Sequence, residues 1–233
     1  MTEQMTAGQD LIHNVQGLYS TILADPPWRF ENRTGKMAPE HRRLARYPTL
    51  SFQEIYELPV AQLAAERSHL YLWVPNALLA EGLETMKRWG FTYKTNLIWY
   101  KVRKDGGPDR RGVGFYFRNV TEMVLFGVRG SNVRTLKAGR KQPNILLTRK
   151  REHSRKPDEL YEIIESCSWG PYLELFARFS RPEWTQWGNE VDPEEMVATQ
   201  SAFTYQIPRE FPEAGRNGSN QLKLLETSSS SDA

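Results

Sequence analysis

Four consecutive residues carry the plainest chemical potential: Asp25-Pro26-Pro27-Trp28, directly after the apolar run YSTILA at 19–24. Each proline fixes its own φ, and Pro27 also confines Pro26 to an extended backbone. The turn is therefore rigid, and the Pro26 carbonyl and Asp25 carboxylate form two fixed acceptors able to face one pocket. Trp28 adds a flat apolar surface beside them. Two acceptors and a stacking plate suit a planar ring bearing an exocyclic amine. Each amine proton meets one acceptor, and the nitrogen lone pair, drawn out of conjugation, is free to attack an electrophile. The same tetrapeptide also suits a purely structural role, with Asp25 capping a neighbour and Trp28 in the core. The four residues alone leave both readings open.

Other reactive residue types point to little. The single cysteine, Cys167, lies between Ile164 and Trp169 near the end of an expected helix, where packing explains it. One cysteine permits no internal disulfide, which fits a reducing, cytoplasmic setting. His13, His41, His69 and His153 are scattered with no Cys or His at ligand spacing, so no metal site is expected. The N-terminus lacks the basic and apolar stretches of a secretory signal, and no run reaches membrane-spanning length. With 39% hydrophobic and 12% aromatic residues, the chain has the means to build a core.

The elements that must hold the tetrapeptide follow from pattern. Residues 19–24 read as a buried strand stopped by two prolines. Residues 29–49 read as a long loop, and Ser51-x-x-Glu54 as a capping box opening a short helix that ends before Pro59. HLYLWV (69–74) is a second strand. Asn76 is expected to cap a helix through about Trp89, with Leu79, Leu83, Met86 and Trp89 on its buried face and Gly90 closing it. FTYKTNLIWY (91–100) and TEMVLFGV (121–128) are the third and fourth strands, with a Gly-rich basic loop at 103–114 between them. Residues 129–156 read as mostly irregular. Pro157 opens a helix over 158–166. YLELF (172–176) and WTQW (184–187) complete the strands, and the chain past about 205 reads as a disordered tail. Strands alternating with helices imply an α/β fold around a largely parallel sheet, whose ligands bind at the carboxyl ends of strands.

Charge is unevenly spread. The chain carries 31 Lys+Arg against 28 Asp+Glu, a net +3. Residues 29–46, 101–118 and 129–156 together hold 22 basic and 5 acidic residues, leaving 9 basic and 23 acidic elsewhere. An acidic body thus bears three basic segments, expected as loops on or beside the carboxyl side of the sheet and suited to nucleic-acid phosphates.

The tetrapeptide is one of several motifs in a recognisable order. ADPPW (24–28), RYPTLS (46–51), LYLWV (70–74), NLIWYK (96–101), Arg118-Asn119-x-x-Glu122, SRKPDELYEIIE (154–165) and LELFAR…WTQWGNE (173–190) resemble the mRNA adenine methyltransferase, or MT-A, family, including its bacterial and phage members. The resemblance runs from about Tyr19 to Asp192. It implies a Rossmann-like class I methyltransferase domain with a permuted motif order, catalytic strand first and cofactor strand last. The implied cofactor is S-adenosylmethionine and the implied substrate the N6 amine of adenine. No Gly-x-Gly-x-x-Gly is present; the acidic strand LELFAR takes the place of a glycine loop, which argues against a dinucleotide enzyme.

By that resemblance Asp25 and Pro26 accept from the adenine amine, Pro27 sets the turn and Trp28 stacks on or walls the base. Tyr47 falls where the family places an aromatic near substrate and cofactor, or packs on the domain. Lys156 matches the cofactor-binding lysine that neutralises the methionine carboxylate, and Arg178 the arginine at the cofactor's sugar. Phe179 and Ser180 stand where the mRNA enzymes have His-Asn, so those contacts are not carried over. Asn189 and Glu190 are expected at the ribose hydroxyls, with Glu190 in place of a glutamine. Glu122 either orients the active-site loop or base, or pairs with Arg118. Arg29 and Arg118 are candidate substrate contacts from the basic segments. No metal and no covalent intermediate are expected.

The expected organisation is an N-terminal segment (1–18), a methyltransferase domain (19–205) and a tail (206–233). Adenine in a duplex must be flipped out to be reached. Small size and the absence of an RNA-binding module favour DNA over RNA as substrate. A non-catalytic subunit is the remaining alternative; the family's degenerate partners lose the Asp or Trp that this chain keeps. Recognition sequence and oligomeric state are not legible.

Overall fold

The computed structural model describes residues 5–29, 50–109, 116–149, 156–188 and 192–196. Residues 30–49 with Tyr47, residues 110–115 and 150–155, the pair Asn189 and Glu190, and the residues past 196 lie outside the described residues.

Strands β1 (Tyr19–Ala24), β2 (Ala64–Val74), β3 (Thr92–Val102), β4 (Thr121–Arg129), β5 (Ile145–Arg149), β6 (Tyr172–Leu175) and β8 (Trp184–Trp187) form one seven-stranded sheet in the order β5-β3-β4-β2-β1-β6-β8. β7 (Phe179–Ser180) and β9 (Asp192–Met196) pair separately. Only β4 runs against its neighbours in the large sheet; β1 is parallel to β2 and β6, β6 to β8, and β3 to β5. The fold is thus mixed α/β and largely parallel, and β1 sits near its middle, where the chain goes one way to β2 and the other to β6.

Strand alternation sorts the core into two layers. Ile22, Ala24, Leu70, Leu72, Val74, Leu173 and Leu175 pack on one face, with helices α1 (Ala7–Asn14), α2 (Phe52–Glu57), α3 (Val60–Leu63) and α4 (Leu79–Arg88) contributing Leu11, Ile55, Val60 and Met86. Leu23, Tyr71, Trp73, Trp99, Val124 and Phe126 face the other way, onto Leu160 and Ile164 of helix α5 (Glu159–Cys167). His69 is buried on the same sheet. Its Nδ1 and the Tyr71 hydroxyl both meet Ser168 Oγ at 2.7 Å, so it has a structural place rather than a ligand's.

Several expected elements stand: β1, the Ser51–Glu54 capping box of α2, and α5. Others are corrected. Asn76 caps nothing; it opens a 3-10 turn at 76–78, and its side-chain amide donates to the Thr121 carbonyl at 3.2 Å. The buried face of α4 is Leu78, Gly82, Thr85, Met86 and Trp89, while Leu79 and Leu83 are exposed. Gly82 is on the inner face because a Cβ there would lie 2.6 Å from Val74 Cγ2. A capping box at Thr6–Gln9 starts α1, which the sequence reading missed, and Leu11 and Val15 join the main core.

Of residues 129–156, most of those described are irregular, as expected, but two elements within them are not legible in the sequence. These are a 3-10 turn (Ala138–Lys141) and β5. This splits the third basic segment. β4 ends at Arg129 beside Ser68, at the amino end of β2, and β5 begins only at Ile145. Exposed Arg134, Lys137, Arg140 and Lys141 therefore stand at the amino end of the sheet, while Arg149 leaves β5 at the carboxyl end. The expectation that all three basic segments flank the carboxyl side holds only in part.

Candidate active site

β1 and β6 end side by side, with Ala24 paired to Leu175 and the Asp25 N–H donating to the Leu175 carbonyl at 3.4 Å. Beyond these ends opens a small cleft, open to solvent and lined by Asp25, Trp73, Lys156, Glu174, Phe176 and Arg178 among others. Odd-numbered Leu23 points to the α5 face, and Asp25 follows it into the cleft. Phe176 has φ +64°, unusual for a residue with a side chain, and this left-handed step turns the chain sharply out of β6 along the cleft wall.

Within the tetrapeptide, Trp28 takes the structural place open to it. The Trp28 N–H donates to the Pro26 carbonyl at 2.8 Å, closing a three-residue turn over Pro27. That carbonyl keeps its second lone pair. The Trp28 ring is only 4% exposed, and its indole N–H donates to the Trp73 carbonyl at 2.9 Å. Trp28 is thus a core anchor and not an open stacking plate; the indole that lines the cleft is Trp73. Trp28 also bridges Leu50, in parallel.

Lys156 stands at the cleft between two carboxylates. Its Nζ lies 3.3 Å from Asp25 Oδ1 and 2.9 Å from Glu122 Oε2, over the Trp73 ring at 4.5 Å from the centroid. An ammonium has three N–H donors, and two carboxylates and a ring face surround this one, with part of the side chain still open to the cleft. Burial alone would lower the Lys156 pKa, but the Asp25 and Glu122 carboxylates outweigh it and hold it above the usual value. Glu122 in turn pairs through its other oxygen with Lys101. Burial pushes the Glu122 carboxyl up, yet Lys156 and then Lys101 pull it down to about 2. Arg118 is exposed, and the partners of Glu122 are these two lysines. The result is an alternating chain of charges, Lys101–Glu122–Lys156–Asp25, ending on the motif carboxylate.

A second carboxylate was missed. Glu174, between Leu173 and Leu175, faces the α5 side, where the Tyr161 hydroxyl donates to it at 2.6 Å. Burial raises its carboxyl to about 7, against the lowering effect of the Tyr161 bond. Arg181 lies over the Tyr161 ring at 3.8 Å and binds Asp158 at 3.0 Å, closing the far wall. A Glu flanked by apolar residues in a buried strand was the signal available for Glu174. Tyr161, Asp158 and Arg181 gave none, since only tertiary packing gathers them. Arg178 lines the cleft; Arg29, just past the tetrapeptide, is exposed. Among the described residues no cluster of His, Cys, Asp and Glu is arranged to hold a metal, and no helix is long and apolar enough to cross a membrane.

Comparison with known proteins adds relatives to this geometry. Residues 19–190 match the sequence profile of the MT-A70 family. The chain is 29% identical over 195 residues to a Medicago truncatula protein described as a putative N(6)-adenosine-methyltransferase MT-A70-like, covering 79% of this chain and 28% of that one. It is 30% identical over 183 residues to the human N(6)-adenosine-methyltransferase catalytic subunit METTL3, covering 77% and 29%. It is 29% identical over 192 residues to the type II methyltransferase M.MunI of a Mycoplasma species, covering 74% and 78%. The chain thus spans under a third of the adenosine-methyltransferase relatives and most of the length of M.MunI.

Proposed function

Since the chain belongs to the MT-A70 family, we propose that it transfers a methyl group from S-adenosylmethionine to the exocyclic N6 amine of adenine in nucleic acid, with DNA as the substrate. The observation that carries this reading is the pair of acceptors at the carboxyl end of β1. The Asp25 carboxylate opens into the cleft, and the Pro26 carbonyl is fixed one residue away by a closed turn. DNA is favoured because M.MunI, matched over most of its length, is described as a type II methyltransferase. The relatives described as adenosine methyltransferases are much longer than the matched region, and RNA remains the substrate of the second reading.

The cleft residues fit the cofactor. Glu174, half-neutral near pH 7, is set to ionise against an ammonium group, and Arg178 offers a cation to a carboxylate or sugar. Lys156 is engaged with Asp25 and Glu122, so its part is to hold the acceptor carboxylate. Asn189 and Glu190 remain candidates for the ribose hydroxyls, and Tyr47 for the base. In this reading β1, with the acceptors, precedes the cofactor strands β6 and β8, a permuted order. The bound cofactor supplies a methyl group already activated on a sulfonium.

What the chain's own residues do is orient. Asp25 and the Pro26 carbonyl accept the two amine protons and leave the nitrogen lone pair directed away from them. Fixed acceptors stabilise the positive charge that grows on nitrogen as the C–N bond forms and the C–S bond breaks. The N–H bond that must then release its proton points at Asp25. Trp28 holds the turn from the core.

Transfer of tritiated methyl to duplex DNA and to structured RNA tests the reading. We expect label in DNA, and a loss of at least about 100-fold in the Asp25→Ala variant, as for removal of a transition-state acceptor. Label in RNA alone would move the substrate to the second reading. An Asp25→Ala variant as active as the parent would refute the assignment.

A further inference from the structure

Two adjacent aromatic side chains stand almost wholly in solvent: Tyr116 is 95% and Phe117 87% exposed. Single exposed apolar residues are ordinary, but two large aromatic side chains exposed in succession are candidates for a contact surface. The topology puts them at the cleft's end of the sheet. β4 is the reversed strand, so its first residues lie at the carboxyl ends of β3 and β2, with Thr121 opposite Tyr100 and Met123 opposite Val74. Glu122, tied to Lys156 and through it to Asp25, is the second residue of that strand.

The base of the segment is pinned. The Lys101 N–H donates to the Val120 carbonyl at 2.9 Å, and the Asn76 amide donates to Thr121 Oγ1 at 3.1 Å. The rings are therefore presented from a fixed stem. The next residue, Arg118, is exposed as well, and residues 101–118 hold six basic and two acidic side chains.

Aromatic faces interleaved with cations are the surface chemistry that binds unstacked bases and their phosphates. A second copy of the chain would bring the same positive charge to the same place, so charge favours a polyanion. We propose that Tyr116 and Phe117 form a stacking platform for nucleobases next to the one entering the Asp25 cleft, with Arg118 on the adjoining phosphate. This rests on the reading that the cleft takes a base from nucleic acid. It adds the part of the surface that would hold the strand open while one base is out of the stack.

Fluorescence anisotropy with labelled duplex and single-stranded DNA, and the matching RNAs, across a salt series tests it on the whole chain. The Tyr116→Ala/Phe117→Ala double variant should lose on the order of 10- to 100-fold in affinity for the preferred nucleic acid. It should keep the parent's salt slope, because no charge has been removed. Arg118→Ala should reduce the slope by about one, with its affinity loss greatest at low salt. Tyr116→Phe/Phe117→Trp should bind like the parent, which separates stacking from loss of fold.

A double variant that binds as tightly as the parent overturns the proposal. So does one that leaves nucleic-acid affinity unchanged but changes the oligomeric state in light scattering, which would give the rings to a second copy. The assay needs no methyl transfer. A parent that binds nucleic acid through these rings yet transfers no methyl would refute the activity and leave the platform standing.

Discussion

Two buried carboxylates, Glu174 lining the cleft and Glu122 tied to it through Lys156, are held in opposite states, and each state follows from its surroundings. Glu122 bridges two ammonium groups and is held ionised down to about pH 2. Glu174 has a phenol and a distant guanidinium, and burial wins, raising it to about 7. Their effects on stability run in opposite directions. Glu122 binds fewer protons folded than unfolded between its ordinary 4.5 and 2, so its contribution is present above pH 4.5 and lost on acidification. Glu174 binds more protons folded between 4.5 and 7, so its contribution is present below 4.5 and is lost as pH rises through 7. Thermal melts of the free protein from pH 5 to pH 8 should therefore show a fall that Glu174→Gln largely removes. A shift of this size corresponds to at most about 3 kcal/mol. A variant that melts with the parent's pH dependence would show that Glu174 is already ionised in the folded state. A ligand presenting an ammonium group to Glu174 would reverse the preference, so in the proposed reading cofactor affinity rises with pH across the same interval.

At the scale of elements, helix α4 shows what packing adds to pattern. Its apolar letters, Leu79 and Leu83, are exposed, while Gly82 and Thr85 occupy the inner face with Met86. The helix lies so close to β2 that only a residue without Cβ fits opposite Val74, and Gly82 disguises the true face. Gly82→Ala sets two effects against each other. Alanine gains about 1 kcal/mol of helix propensity over glycine, but the new methyl meets Val74 from 2.6 Å and must push the strand or helix aside, an overpacking cost of about 1–3 kcal/mol. Denaturant unfolding should show a net loss of about 1 kcal/mol; a gain would mean that α4 shifts freely. β5 was hidden for a similar reason, since Ile145, Leu146 and Leu147 are a short apolar run among cations and become a strand only against β3. What was legible were the elements set by local chemistry: β1 stopped by two prolines, the Ser51–Glu54 box, and α5 behind Pro157. At the site, Asp25 and Arg178 could be read from motifs. The ties of Lys156 to Glu122 and Asp25 cross 34 and more residues of sequence and are set by strand order.

For the whole molecule, strand direction decides what the net charge of +3 means. Because β4 is reversed, the basic segment after it begins at the amino end of the sheet, and β5 carries the chain back to the cleft end. Arg134, Lys137, Arg140 and Lys141 are exposed at the end away from Asp25, whereas Lys104 past β3, Arg118 before β4 and Arg149 at the end of β5 are exposed at the cleft's end. If nucleic acid lies across the cleft, the two groups must differ in effect despite equal charge in the sequence. Each phosphate contact contributes about 0.9 to the slope of log affinity against log salt on duplex DNA. Replacing Lys104, Arg118 and Arg149 together with alanine should lower that slope by up to about 3 units and weaken low-salt binding steeply. Replacing the four far-end residues should change the slope by less than about 1, through the general field alone. Binding isotherms at several salt concentrations measure both. A larger effect from the far-end set would place the nucleic acid on the opposite end of the sheet, where Asp25 could not reach an adenine held in it.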